Sequence, residues 1–292
     1  MAPLALAAGI ELRDDRGKTV ALAAPAQRIV ALAPHLAELA FAAGAGGRLV
    51  GAARFSDYPP EARGIARVGD AARVDLERIA ALAPDLVLAW RSGNQVADVE
   101  RLERLGYAVF VTEPQRLADI PRLTRAIGTL AGTSPEAERS AGAFERDVAA
   151  LAARFERAGA VRVFYEIWHR PLITVNGRHL ISDVLRICGG VNVFADAPLL
   201  TPTVSPEAVL AARPEAVIGG GSADTPQQFA AQWRRFPAAA LRGLPVFHVH
   251  PDLIQRQTPR IVEGARAVCA ALEKVRAGGR STGTAGKDGK ND

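Results

Sequence analysis

Short apolar runs alternate with amphipathic stretches along most of the chain, the pattern of strand–helix units around a buried parallel sheet. One such unit occurs twice. Residues 74–92 read VDLERIAALAPDLVLAWRS, and residues 204–222 read VSPEAVLAARPEAVIGGGS. Val74 matches Val204, Glu77 matches Glu207, Pro84 matches Pro214, Asp85 matches Glu215, and Val87-Leu88 matches Val217-Ile218. Asp75 and Ser205 stand where a helix cap belongs, an acid follows in the first turn, and apolar residues then recur at helical spacing. The proline closes each helix, because the residue before a proline is pushed out of the α region. The apolar run behind it predicts a strand buried on both faces.

The repeat reaches further. YAVFVTEP at 107–114 and LPVFHVHP at 244–251 both read as a strand entering a loop. Each half also opens on a strand and a helix, at 28–33 then 36–43, and at 162–167 then 180–187. A period of roughly 130 residues is too long for a solenoid and predicts duplicated domains. The expected fold is α/β, with two similar lobes at 26–133 and 159–272, each around a mainly parallel central sheet. Residues 1–25 form an N-terminal segment ahead of them. Between the lobes, 134–158 predicts one long rigid α-helix, with Ser134 as its cap, Pro135 as its first residue and Gly159 as its stop. Phe144, Val148, Leu151 and Phe155 mark its apolar stripe. Such a connector permits only limited lobe motion, and the ligand cleft is expected between the lobes. Past about Ala277 the composition turns to Gly, Ser, Thr, Lys and Asp, so 273–292 is expected as a disordered tail.

Composition narrows the class. The chain has 292 residues, enough for two domains, and 49% of them are apolar, a globular balance. The net charge of +5 is scattered, without a basic stripe interleaved with aromatics, so nucleic acid is not an expected partner. No run of about 18 strongly apolar residues predicts a membrane span. Met1–Ile10 (MAPLALAAGI) reads either as the remnant of a secretory signal or as a frayed terminus. Cys188 and Cys269 are the only cysteines. They read as two buried thiols in a cytosolic protein, or as one disulfide in an exported one.

The familiar catalytic motifs are absent: no dinucleotide-binding glycine fingerprint, no Walker A, no HExxH, no GxSxG and no CxxC. Gly219-Gly220-Gly221 reads as a tight strand-to-loop turn. His248 and His250 share one side of a strand, but a metal would need further ligands, with Asp252 the nearest candidate, and no metal site is expected. Aromatics gather where strands end. Trp90 closes the first repeated strand, Trp168 lies in the same kind of place in the second lobe, and Phe55 sits in the loop FSDYPP. His35 follows Pro34 at the start of a helix. Ligands bind beyond the carboxyl ends of parallel strands, so these loops, with the polar stretch Asp252–Arg256, suit a large flat ligand. Glu77 and Glu207 occupy equivalent positions of the repeat, as two acids meeting two arginines of a symmetric dimer would.

Arg28–Gly51, Ser56–Pro60, Val74–Trp90, Cys188–Phe194 and Asp252–Cys269 together resemble the periplasmic cobalamin-binding proteins of ABC importers, over about 27–272. Single pieces are shared with haem and iron–siderophore binders of the same helical-backbone class. The resemblance implies a corrinoid ligand contacted by Phe55, Trp90, Asp252, Leu253, Ile254, Gln255 and Arg256, with Trp168 and His35 as further candidates. It implies docking of Glu77 and Glu207 to permease arginines, and a disulfide between Cys188 and Cys269. Two tryptophans found in some members are missing, replaced by Ala71-Ala72 and Leu200-Thr201. These losses bear on which corrinoid is bound.

The expected protein is thus a monomeric, periplasmic substrate-binding component. It would deliver cobalamin or a relative to a permease dimer driven by ATPase subunits, with no catalysis. Haem or a ferric siderophore is the alternative cargo, and haem would draw on His35, His169 or Tyr58 as axial ligand. Cobalamin carries its own lower base, so His35 or His169 would be called on only by a corrinoid lacking it. A small-molecule enzyme or a ligand-sensing module is a more distant reading.

Overall fold

In the computed structural model, residues 9–70, 73–221, 223, 225–236 and 238–283 are described. Met1–Ala8 and Ala71-Ala72, on which the signal reading and one missing tryptophan fall, lie outside the described residues. The chain divides into two compact units, one ending at Glu145 with Gln115–Leu117 excluded, the other made of those three residues and everything from Arg146.

In the first unit a hairpin of β1 (Ile10–Arg13) and β2 (Thr19–Leu22) precedes a five-stranded sheet. Its strands are β3 (Ile29–Ala31), β4 (Leu49–Ala52), β5 (Ala66–Arg67), β6 (Leu86–Trp90) and β7 (Val109–Thr112). They pair in the order β5-β4-β3-β6-β7, all parallel. The second unit holds β8 (Val161–Glu166), β9 (Gly190–Asn192), β10 (Ala216–Gly219) and β11 (Val246–His248), paired β11-β10-β8-β9, again all parallel. Without β5 the two orders are identical. The second strand lies on one side of the first, and the third and fourth lie on the other. The duplication read from the sequence is therefore a duplication of topology.

β3 and β7 are buried at every position, and β6 at all but Trp90, as expected of strands covered on both faces. Val30, Val87, Val109 and Val111 pack against Ile79, Val99 and Leu102 from the covering helices. In the second unit Phe164 and Val217 meet Val209, Phe229, Trp233 and Phe236.

The repeated sequence makes the same junction twice. Helices Leu76–Leu82 and Pro206–Ala211 are capped by Asp75 and Ser205, whose side chains accept from the N–H groups of Arg78 and Ala208. Behind each helix a left-handed residue, Ala83 (φ 43°) or Arg213 (φ 46°), turns the chain into the proline. That conformation costs a non-glycine residue about 1 kcal/mol or more. Arg28 offsets it by donating to the Leu82 and Ala83 carbonyls, and Arg162 does so at Ala212 and Arg213. These are the carbonyls a helix end leaves without partners. The acid after the proline completes the junction. Asp85 accepts from the Gln27 and Arg28 N–H groups at 2.7 and 3.0 Å, and Glu215 accepts from the Arg162 N–H at 2.7 Å.

Helix Ser134–Phe155 spans 22 residues, about 33 Å at 1.5 Å per residue. It starts one residue earlier than expected: the Thr133 carbonyl already accepts from Ala137, and the Thr133 hydroxyl donates to the Ala43 carbonyl. Phe144 and Phe155 are buried while Val148 and Leu151 are half-buried, in keeping with the stripe. The last helix, Ile261–Gly283, runs well into the expected tail. The start of the expected tail is held in place, because Arg276 donates to the carbonyls of Gly159 (2.7 Å) and Cys188 (2.6 Å). Residues 284–292 lie outside the described residues. Cys188, at the end of helix Leu180–Ile187, is bonded to Cys269 in the last helix, across 81 residues of sequence.

Replacing both cysteines by alanine should lower the unfolding free energy by about 4 kcal/mol, read from urea midpoints. A second outcome concerns His179, the N-cap of helix Leu180–Ile187, whose Nδ1 accepts from the Ile181 N–H. Burial lowers its pKa to about 4. The unfolded imidazole protonates near about 6.5, so the folded state is favoured fully above that pH and loses the advantage as pH falls towards 4. His179→Asn keeps a capping acceptor and should flatten this part of the stability profile, worth at most about 3 kcal/mol.

Candidate functional site

A parallel sheet opens a crevice at its carboxyl edge where the strand order reverses, because successive connections there run to opposite faces. In the first unit that point lies between β3 and β6. His35 follows β3 in the first turn of helix Pro34–Ala42, and Trp90 ends β6. Their rings meet edge-on, with centroids 5.1 Å apart. His35 is only 3% exposed, so it backs Trp90 and presents little surface of its own. The indole lies across Gly93, where any Cβ would overlap the ring. Asn94 locks the turn: its Oδ1 accepts from the Trp90 N–H at 2.7 Å and its Nδ2 donates to the Leu32 carbonyl at 3.0 Å.

Phe55 belongs to the loop after β4 and is 66% exposed. Its φ of 65° is left-handed, an outlier for a bulky side chain. The surrounding bonds hold it there. The Arg54 N–H donates to the Gly69 carbonyl, the Ser56 N–H donates to the Ala53 carbonyl, and Arg67 donates to the Ser56 carbonyl. Such strain persists where structure over-determines it, commonly at ligand sites. Tyr58, in the same loop, is 41% exposed.

In the second unit the reversal falls between β8 and β10. Trp168 follows β8, is 46% exposed, and donates from Nε1 to the Arg170 carbonyl at 3.0 Å. Gly219 and Gly221 leave β10 so close to β8 that a Cβ on either would collide with the carbonyls of Glu166 and Ile167. The glycine run is thus a close backbone approach to β8, where the sequence suggested only a tight turn. Glu166 ends β8 with its carboxylate fully buried, accepting from Trp233 Nε1 at 2.7 Å and paired with His169 Nδ1 at 3.2 Å. Trp168, His169 and Arg170 line a cavity of about 660 Å³ with Gln228, Ala231, Gln232 and Arg235.

The stretch Asp252–Arg256 leaves β11 through a short helix, Pro251–Ile254, capped by His250, whose Nδ1 accepts from the Asp252 N–H. Arg256 pairs with Asp252 at 2.9 Å. Burial pushes the pKa of the Tyr165 hydroxyl, near the end of β8, well above its ordinary value. Leu253 is half-buried, while Ile254 is wholly buried and supports the loop from inside. His248 does not face His250 across a metal position: its Nε2 lies 3.1 Å from the Ala223 carbonyl and its ring meets Phe229.

Glu77 and Glu207 are exposed and each is the second residue of its helix. Its own backbone N–H and the Ser205 hydroxyl lower the Glu207 pKa, so it stays ionised. The sequence reading missed the Glu166–Trp233 pair. Its signal was visible, since a lone acid ends the apolar run VRVFYE.

Both the fold and the loops suit a two-unit solute-binding protein. The chain belongs to the periplasmic binding protein family, whose model matches residues 29–242. It is 37% identical over 265 residues to the vitamin B12-binding protein of Pectobacterium carotovorum subsp. carotovorum strain PC1, covering 90% of this chain and 94% of that one. A vitamin B12-binding protein of Vibrio parahaemolyticus is 35% identical, with 86% and 91% covered. The crystal structure of the periplasmic vitamin B12-binding protein BtuF of Vibrio cholerae matches with a TM-score of 0.75 at 31% identity, covering 86% of this chain and 98% of that one. The periplasmic haem-binding protein RhuT of Roseiflexus sp. RS-1 has the same fold, with a TM-score of 0.73 at 21% identity, covering 85% of this chain and 98% of that one. Among the described residues no helix is long and apolar enough to cross a membrane.

If Phe55 is held in place by the loop and not by its own preference, Phe55→Gly should leave the thermal midpoint unchanged or raise it. Relief of about 1 kcal/mol of strain is set against a glycine entropy cost of similar size. A fall of several degrees would show that the ring packs usefully in the free protein.

Proposed function

We propose that this chain is the periplasmic substrate-binding component of an ABC importer, that it binds cobalamin or a related corrinoid, and that it passes the ligand to a permease dimer with its ATPase subunits. The observation that carries the reading is the strained, solvent-facing Phe55. Strain spent on exposing an aromatic ring is explained by a ligand with a large apolar face. Trp168 presents a second exposed ring, and Trp90 a half-buried one. The relatives named for vitamin B12 at 35–37% identity support a corrinoid as that ligand. The likeness to haem binders is one of fold alone.

In this proposal Phe55, Trp90 and Trp168 supply apolar faces, while Asp252, Leu253, Gln255 and Arg256 meet the polar periphery of the corrin. His35 and Ile254 act from behind, by fixing Trp90 and the 252–256 loop. The protein works as a monomer and performs no chemistry on its cargo. Glu77 and Glu207, both exposed in the first turns of their helices, dock to basic residues of the permease.

Titration with cyanocobalamin, followed by tryptophan fluorescence, should give one site with Kd below about 10 µM, or −7 kcal/mol. Phe55→Ala or Arg256→Ala should weaken it on the order of tenfold, about 1.4 kcal/mol. Tight binding of haemin with none of cyanocobalamin would overturn the choice of cargo. Reversing both charges, Glu77→Lys with Glu207→Lys, should abolish uptake by cells and leave cyanocobalamin affinity unchanged. Undiminished uptake by that variant would remove the docking role.

A further inference from the structure

We propose that His169 is an axial ligand for the cobalt of a corrinoid that lacks its own lower base, and that the buried carboxylate of Glu166 positions it; this rests on the corrinoid reading above. Glu166 is fully buried at the end of β8. Trp233 Nε1 donates to its Oε2 at 2.7 Å, and His169 Nδ1 lies 3.2 Å from the same atom. A carboxylate accepts only, so the proton between them sits on Nδ1. That leaves Nε2 with its lone pair, and among the described residues no hydrogen bond reaches it. A histidine whose second nitrogen donates to a buried carboxylate is the usual arrangement behind a metal ligand, fixing both tautomer and ring plane.

The ring cannot easily turn away. It meets Trp233 and Phe236 edge-on at 6.3 and 6.0 Å, and those two rings are themselves stacked at 4.4 Å. His169 also lines the cavity of about 660 Å³, with the exposed indole of Trp168 beside it. His35 holds the same offset from Arg28 as His169 does from Arg162, but it is buried against Trp90 and only 3% exposed. Of the two histidines the sequence offered as axial ligands, the structure thus selects His169. Cobalamin with its base bound would not need this residue. Cobinamide, which has no nucleotide loop, would.

The step is a ligand exchange on Co(III). Nε2 donates its lone pair as one water leaves the cobalt for solvent, the Nδ1 proton stays between His169 and Glu166, and no electron is transferred. The test uses the full chain with aquated cobinamide and, separately, cyanocobalamin. Bound cobinamide should show the absorption shift of an imidazole replacing water. His169→Ala should abolish that shift and weaken cobinamide by at least the roughly 10–100-fold that losing even a ligand's hydrogen-bond partner costs, while cyanocobalamin stays within about twofold. Glu166→Gln, which keeps an acceptor for Trp233, should leave the shift but lower cobinamide affinity. If cyanocobalamin binds while cobinamide keeps its aqueous spectrum, or is held equally well by His169→Ala, the axial role is overturned alone. If neither corrinoid binds, the corrinoid reading falls and the axial role falls with it.

Discussion

The reversal of strand order within each parallel sheet is the constraint on which the rest depends. Where successive connections leave for opposite faces, no helix or strand covers the carboxyl edge between them, and the chain must place loops there. In the first unit the reversal brings His35 and Trp90 together. In the second it brings Glu166 and Ile167 against the glycine run after β10, with Trp168 and His169 next along the chain. The sheet anchors these loops from below, the buried His35 backs Trp90, and Trp168 stands open to solvent, which is the combination a rigid binding surface needs.

Keeping those edges in register is the task of the repeated junction. An arginine at the first strand closes the end of a helix, and an acid after the proline holds the start of that strand. The junction costs a left-handed residue in each unit, Ala83 and Arg213, and replaces it with several charge-assisted hydrogen bonds. The same helices begin at Glu77 and Glu207. Each runs antiparallel to the strand that follows it, so its N-terminus points towards the carboxyl edge. Fixing the helix ends therefore also fixes the two proposed docking acids.

Most of this fold was legible in the sequence, because the repeat imposed the same reading on two independent stretches. Helix caps at Asp75 and Ser205, the strands behind both prolines, and helix 180–187 stand where the pattern put them. The disulfide came from resemblance, since spacing could not choose between a bridge and two thiols. Misreadings arose where a distant contact decides the outcome. Ser-Pro looks like a cap at 134, yet the helix takes its first bond on Thr133. The tail was expected from 273 onwards, yet Arg276 pins the last helix to Gly159 and Cys188. At the site, an aromatic can be seen in a sequence but its exposure cannot. Nothing in FSDYPP predicts that Phe55 is left-handed and open, or in DLIQR that Ile254 is buried.

In the proposed function the carboxyl-edge loops hold the ligand, and the Glu77 and Glu207 helices are left for a partner. Amide hydrogen exchange with and without cyanocobalamin tests this most directly. Slowed exchange is predicted across 54–58, 90–94, 167–171 and 252–256, with helices Leu76–Leu82 and Pro206–Ala211 unchanged. Protection confined to those two helices, or to strand starts such as Arg28 and Arg162, would contradict it.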